Sequence, residues 1–131
     1  VLIWDSEELN FVHVKRGFDA SMRDLSYQVL LSARRLASDK VSGQFDFTRE
    51  IIRKYNAKGG PALIEEDLVA ALQNFRVKFT MAIARPRSER PPIFLNHTEY
   101  KSNIAKFALL ETSKHMSTSS FGFGVTEISL S

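Results

Sequence analysis

An α+β fold is predicted, with three or four helices packed on a small mixed or antiparallel sheet, and three observations predict it. Met22, Leu25, Val29, Ala33 and Leu36 recur at spacings of three or four, the period of an amphipathic helix. After Asn74 the period changes. Phe75, Val77, Phe79, Met81 and Ile83 alternate with Arg76, Lys78, Thr80, Ala82 and Ala84, which is the pattern of a strand. The chain has 131 residues, 44% hydrophobic and 25% charged, which suits one globular domain over residues 1–131. A domain of that size buries roughly two thirds of the surface its unfolded form exposes, so packing alone can hold it. The start at Val1 without Met is what a processed chain or a domain excised from a longer one would show.

Each element has its own signal. Trp4 can anchor the opening segment, and Leu9 to Lys15 reads as a strand with Leu9, Phe11 and His13 on one face and the β-branched Val12 and Val14 on the other. Gly17 ends it, and Phe18 follows as a core plug. Asp19 or Ser21 can cap a first helix from Met22 to about Ser38, with Asp24 three residues after Ser21 as in a capping box. Ser42-Gly43-Gln44 breaks that helix. Asp46 can cap a second, whose expected inward stripe is Phe47, Ile51 and Tyr55, supported by Ile52.

Gly59-Gly60-Pro61 separates a third helix, with Pro61 in its first turn, Glu65, Glu66 and Asp67 toward its positive end, and an apolar face of Ile64, Leu68 and Leu72. Residues 75–84 then form the central strand. Arg85 to Pro92 is a basic loop punctuated by proline, and Ile93-Phe94-Leu95 a short strand. Asn96 or Thr98 can start a last helix carrying Tyr100, Ile104, Phe107, Ala108 and Leu110, with Lys114 and His115 favourably placed at its negative end. Residues 121–130 close the sheet. Phe121, Phe123 and Val125 have one parity and Ile128 and Leu130 the other, so burying all of them requires a bulge near Gly124 or Glu127.

Composition narrows the chemistry. With no cysteine there is no disulfide, thiolate nucleophile or cysteine-ligated metal, and the apolar runs are far shorter than the roughly 20 residues that span a bilayer, so membrane insertion is not expected. His13, His97 and His115 lie in separate segments without metal-ligand spacing; they read as caps, surface or partly buried residues before they read as ligands. The acids Asp5, Glu7 and Glu8, and Glu65, Glu66 and Asp67, are consecutive and read as solvated faces or helix starts, not as a catalytic pair. Lys58-Gly59-Gly60-Pro61 lacks the spacing of a phosphate-binding loop, and no Gly-x-Ser-x-Gly elbow is present. Gly122 and Gly124 admit a bulge or a close strand approach before a ligand. Asn96-His97-Thr98 matches a glycosylation acceptor and equally a helix cap. No catalytic residue, cofactor or metal is assigned.

The surviving functional signal is the placement of long cations. Eighteen Lys and Arg against 15 Asp and Glu give +3, and Arg34, Arg35, Arg49, Arg53, Lys54, Lys58, Arg85, Arg87 and Arg90 are the candidates for contact with phosphate or an acidic partner, since guanidinium geometry suits anionic oxygens. The structural alternative is a set of solvated faces neutralised by Glu50, Glu65, Glu66 and Glu89. The leading expectation is a non-enzymatic structural or protein-interaction domain. It would meet an acidic protein surface, or assemble with copies of itself through amphipathic helices or an open sheet edge. The first alternative is a module binding single-stranded RNA or DNA through those cations, with Tyr55 and Tyr100 as stacking platforms. The second is a small enzyme with a nonlocal active site.

Overall fold

The computed structural model describes residues 1–86 and 102–130. In chain order these form β1 (Leu2–Trp4), β2 (Glu8–Arg16), α1 (Met22–Ser42), α2 (Asp46–Asn56), α3 (Glu65–Asn74), β3 (Arg76–Pro86), α4 (Asn103–Ser117) and β4 (Gly122–Leu130). The expected α+β architecture is present, with four helices among the described residues and one mixed sheet in the order β1-β2-β3-β4. β1 runs antiparallel to β2, with Leu2 opposite Phe11 and Trp4 opposite Leu9. β2 pairs in parallel with β3 from Glu8–Arg76 to Arg16–Ala84, and β3 in parallel with β4 from Lys78–Gly122 to Pro86–Leu130.

The tight link between β1 and β2 follows from Asp5, whose carboxylate accepts the amides of Glu7 and Glu8 at 2.9 and 2.8 Å. These bonds hold its pKa below the ordinary aspartate range. Gly17, at φ +83°, ends β2 as expected, and Phe18 is buried beneath the turn. Odd-numbered residues of β2 and β3 face the helices. Leu9, Phe79, Met81 and Ile83 meet Met22, Leu25, Val29 and Leu36 of α1 in one core. Phe79 lies between Phe11 and Phe121, with ring centroids 5.3 and 5.5 Å away. On the opposite face of β3, Thr80, Ala82 and Ala84 are small and buried, whereas Val14 and Ile128 on the neighbouring strands are exposed.

Several expected details resolve differently. Asp46 is the first residue of α2 but does not supply the observed side-chain cap. That role falls to Asp39, near the end of α1: its carboxylate accepts the amide of Phe47 at 3.1 Å and both the amide and hydroxyl of Thr48 at 2.7 Å. A carboxylate from the preceding helix thus occupies the position an N-cap side chain would take. The reversal that brings it there uses Gly43 at φ +73° and Phe45 at φ +58°. The left-handed conformation is unfavourable for a bulky residue, and burial of the Phe45 ring holds it in place.

Because the α2 start is fixed from α1, the helix turns Thr48 and Ile52 into the core, and the expected stripe of Phe47, Ile51 and Tyr55 lies to one side. Pro61 precedes α3 instead of occupying its first turn, and Ile64 is an exposed N-terminal flank; Leu68, Val69, Ala71 and Leu72 are the buried residues. α4 starts at Asn103, where the Ser102 hydroxyl accepts the Ala105 amide. The start expected at Asn96 or Thr98 and the strand expected at 93–95 lie outside the described residues. β4 pairs residue by residue without the expected bulge, so Ile128 stays partly in solvent on the outer face.

Asp39→Ala is expected to lower stability by about 2–3 kcal/mol, since it strands buried donors, whereas Asp46→Ala costs under about 1 kcal/mol. Urea unfolding of the two variants checks this, and the reverse ranking would show that the α2 cap is misassigned.

Candidate interaction surface

The cations do not form one open field among the described residues. Arg49 reaches Glu65 at 3.1 Å and Glu66 at 2.7 Å, and Arg53 reaches Glu65 at 3.1 Å, so two guanidiniums of α2 are tied to the first turn of α3. Lys54 pairs with Glu50 one turn away on α2 at 2.5 Å. On α1, the Arg35 guanidinium lies 5.4 Å from the centre of the Phe47 ring, joining α1 to α2 by a cation–π contact. Arg85 is buried on β3, 3.4 Å from Glu127 of β4. Arg34 and Lys58 are exposed. Arg87, Arg90 and Tyr100 lie outside the described residues, and Tyr55 is half-exposed beside the Gly60 turn.

These contacts set the electrostatics. The Arg49 and Arg53 hydrogen bonds hold the Glu65 carboxyl below the usual glutamate range, and Lys54 does the same for Glu50. Glu66 and Glu65 in turn keep Arg49 protonated still more firmly. His13 lies inside the fold and His115 on the surface of α4, 3.3 Å from Glu111. No three metal-ligating side chains converge among the described residues. No described helix is long and apolar enough to cross a membrane. Gly122 and Gly124 leave room for the side chain of Lys78, which lies across both; a Cβ on Gly124 would come within 3.0 Å of the lysine Cε.

The surface that sequence reasoning missed is apolar. α4 buries a stripe of mostly small residues, Ala105, Ala108, Thr112 and Met116, and Thr112 hydrogen-bonds Ser26 of α1 inside the seam. Small side chains let the two helices close together, and that geometry rotates the larger ones outward. Ile104, Phe107 and Leu110 are therefore 41%, 64% and 69% exposed, and Tyr27 of α1 is 66% exposed. The same helical spacing fits both stripes, so only the Ala105–Ala108–Thr112 series carried the signal. Beside this face a groove of about 450 Å³ runs between α1 and α4, with Arg23 and Leu30 on one wall and Ile104, Phe107 and Glu111 on the other. Comparisons with protein-family models, curated proteins and solved structures find no match to this chain.

The depressed Glu65 pKa gives a signed pH dependence. Its stabilising contribution is full above the ordinary glutamate value of 4.5 and disappears as pH falls through the lower folded-state value. Urea midpoints should therefore favour the wild type over Glu65→Gln at neutral pH, with the gap closing as the pH falls through the lowered folded-state value. A gap that persists unchanged in acid would contradict the ion-pair account.

Proposed function

We propose that the chain is a non-enzymatic protein-interaction domain that docks through the outward face of α4 and the adjoining surface of α1, and that a second copy of the chain fits this face. The observation that carries the reading is the contiguous placement of Ile104, Phe107 and Leu110 on solvent beside a groove. Burying such a side chain is worth about 1.5–3 kcal/mol, and a clustered set of them marks a contact surface more strongly than scattered exposure does.

Charge favours self-association. Arg23 on α1 and Glu111 on α4 border the same groove. In a two-fold contact each patch meets its own copy, so Arg23 of one protomer can meet Glu111 of the other, and the reverse pair forms by symmetry. The cations of α2 act within the domain, against Glu50, Glu65 and Glu66, and leave less charge for an anionic polymer.

Sedimentation at submillimolar concentration is expected to show a nuclease-resistant dimer that persists in high salt, because its core contact is apolar. Phe107→Asp with Leu110→Asp should give a monomer with unchanged helical circular dichroism. Glu111→Arg should weaken the dimer, and adding Arg23→Glu should restore it. A wild-type monomer at every concentration would overturn the self-association reading; a particle that dissociates on nuclease treatment would favour the nucleic-acid alternative.

A further inference from the structure

β4 forms one edge of the sheet, and among the described residues no strand pairs with its outer side. It spans nine residues, Gly122–Leu130, against the three of β1 at the opposite edge. A long free edge offers a row of backbone donors and acceptors to another chain, and folds commonly guard it with charge, proline or brevity. β4 uses none of these. It contains no proline, and its one charged residue, Glu127, lies 3.4 Å from Arg85 of β3 with a side chain 19% exposed.

We propose that this edge takes up an extended peptide segment of a partner protein as an added strand, and that the segment carries an acidic residue opposite Gly124 with apolar residues on either side of it. Charge complementarity selects this occupant. Lys78 of β3 is partly buried, and its side chain passes Gly122 and ends over Gly124, where a Cβ would stand 3.0 Å from Cε and 3.3 Å from Nζ. None of the ion pairs among the described residues includes this lysine. On a strand added beside β4, the Cβ of the residue facing Gly124 would lie roughly 5 Å from the position of the missing glycine Cβ. A carboxylate there reaches the Lys78 ammonium across the bare glycine.

The pleat assigns the flanking residues. Neighbours along a strand point to opposite faces, so the residues before and after the acid fall on the helix side, beside Phe123 and Val125. Both of those side chains are apolar and packed against the core. Apolar flanks gain burial there, whereas charged ones would lose hydration. Glu127 shares the face of Phe123 and Val125, so an acid on the other face does not point at it. Backbone pairing with β4 supplies the attraction common to any extended segment, and Lys78 with the two apolar side chains supplies the choice among segments.

The test titrates nitrogen-15-labelled protein with a capped peptide as long as β4, in which threonine and valine alternate about a central glutamate. The palindrome presents the same groups in either strand direction. Amide shifts over Gly122–Leu130 should saturate at one peptide per chain. The glutamate peptide should bind about two- to fivefold tighter than its glutamine counterpart, the worth of an exposed ion pair, and Lys78→Gln should abolish that preference. Before peptide is added, every second amide of β4 should exchange quickly with solvent; protection of both alternate sets would mean that the chain or a second copy already fills the edge. The Phe107→Asp, Leu110→Asp variant should bind the peptide as the wild type does, which separates this contact from the α4 docking face. Shifts that do not saturate, shifts centred on α4, equal affinity for the two peptides, a preference that survives Lys78→Gln, or prior protection of the whole edge would each overturn the proposal.

Discussion

The arrangement depends on β3 being paired in parallel on both edges. A parallel pair cannot be closed by a hairpin; each requires the chain to leave the sheet and return to the same end, and the returning helices must cover an apolar face. Here α1, α2 and α3 fill the excursion from β2 to β3, and α4 lies within the one from β3 to β4. Val77, Phe79, Met81 and Ile83 supply the face that those helices cover. The other face of the same strand carries Thr80, Ala82 and Ala84, small side chains that lie low between neighbours, while Lys78 stretches over Gly122 and Gly124. Large side chains on one side and small ones on the other give this strand a layered role that neither edge strand shares.

α1 then determines where the remaining helices can go. At one end its Ser26 meets Thr112 in a seam narrow enough to require alanines from α4. At the other, Asp39 crosses the chain reversal to cap α2. Both contacts are polar and buried, so both have directions as well as energies: a misplaced helix would leave a hydroxyl or carboxylate without its partner. Apolar burial makes these helices pack, and the polar pair and cap select the orientation in which they do so. Two unfilled surfaces follow from that selection. A seam set by small residues displaces Ile104, Phe107 and Leu110 to the outside, and a cap supplied from α1 turns the Ile51 and Tyr55 side of α2 toward a cavity.

The strong periodicities were legible in the sequence and the choices between equivalent stripes were not. The alternation from Phe75 to Ala84 identified β3, and the three- and four-residue spacing of Met22, Leu25, Val29, Ala33 and Leu36 matches the buried residues of α1. In α2 and α4 the helical spacing allowed two faces, and the larger apolar side chains favoured the wrong one. Phe47, Ile51 and Tyr55 outweigh Thr48 and Ile52 on any hydrophobic count, yet Thr48 is buried because its amide and hydroxyl are satisfied by Asp39, a residue nine positions earlier. Long-range polar pairing of this kind has no local signature. Ser26 and Thr112, 86 residues apart, illustrate the same limit at greater separation. The cations and the acids Glu50, Glu65 and Glu66 that could neutralise them were both legible as residues; the choice between an open cationic face and local pairing was not, because it depends on how α2 and α3 pack.

Those ion pairs also bear on where the proposed docking contact lies. Arg49, Arg53 and Lys54 were candidates for outside contact because they are long, charged and close together. In the fold the same properties let them bridge to acids on their own or the next helix. Exposed pairs of this sort contribute little stability individually, but each lowers the charge available to a distant partner. Apolar side chains behave differently. Ile104, Phe107 and Leu110 cannot be neutralised by a neighbour on the same surface; only removal from water relieves them. Local pairing therefore quiets much of the charged surface of α2 and leaves Ile104, Phe107 and Leu110 in water, which is why the docking contact we propose is placed on α4 and not among the arginines.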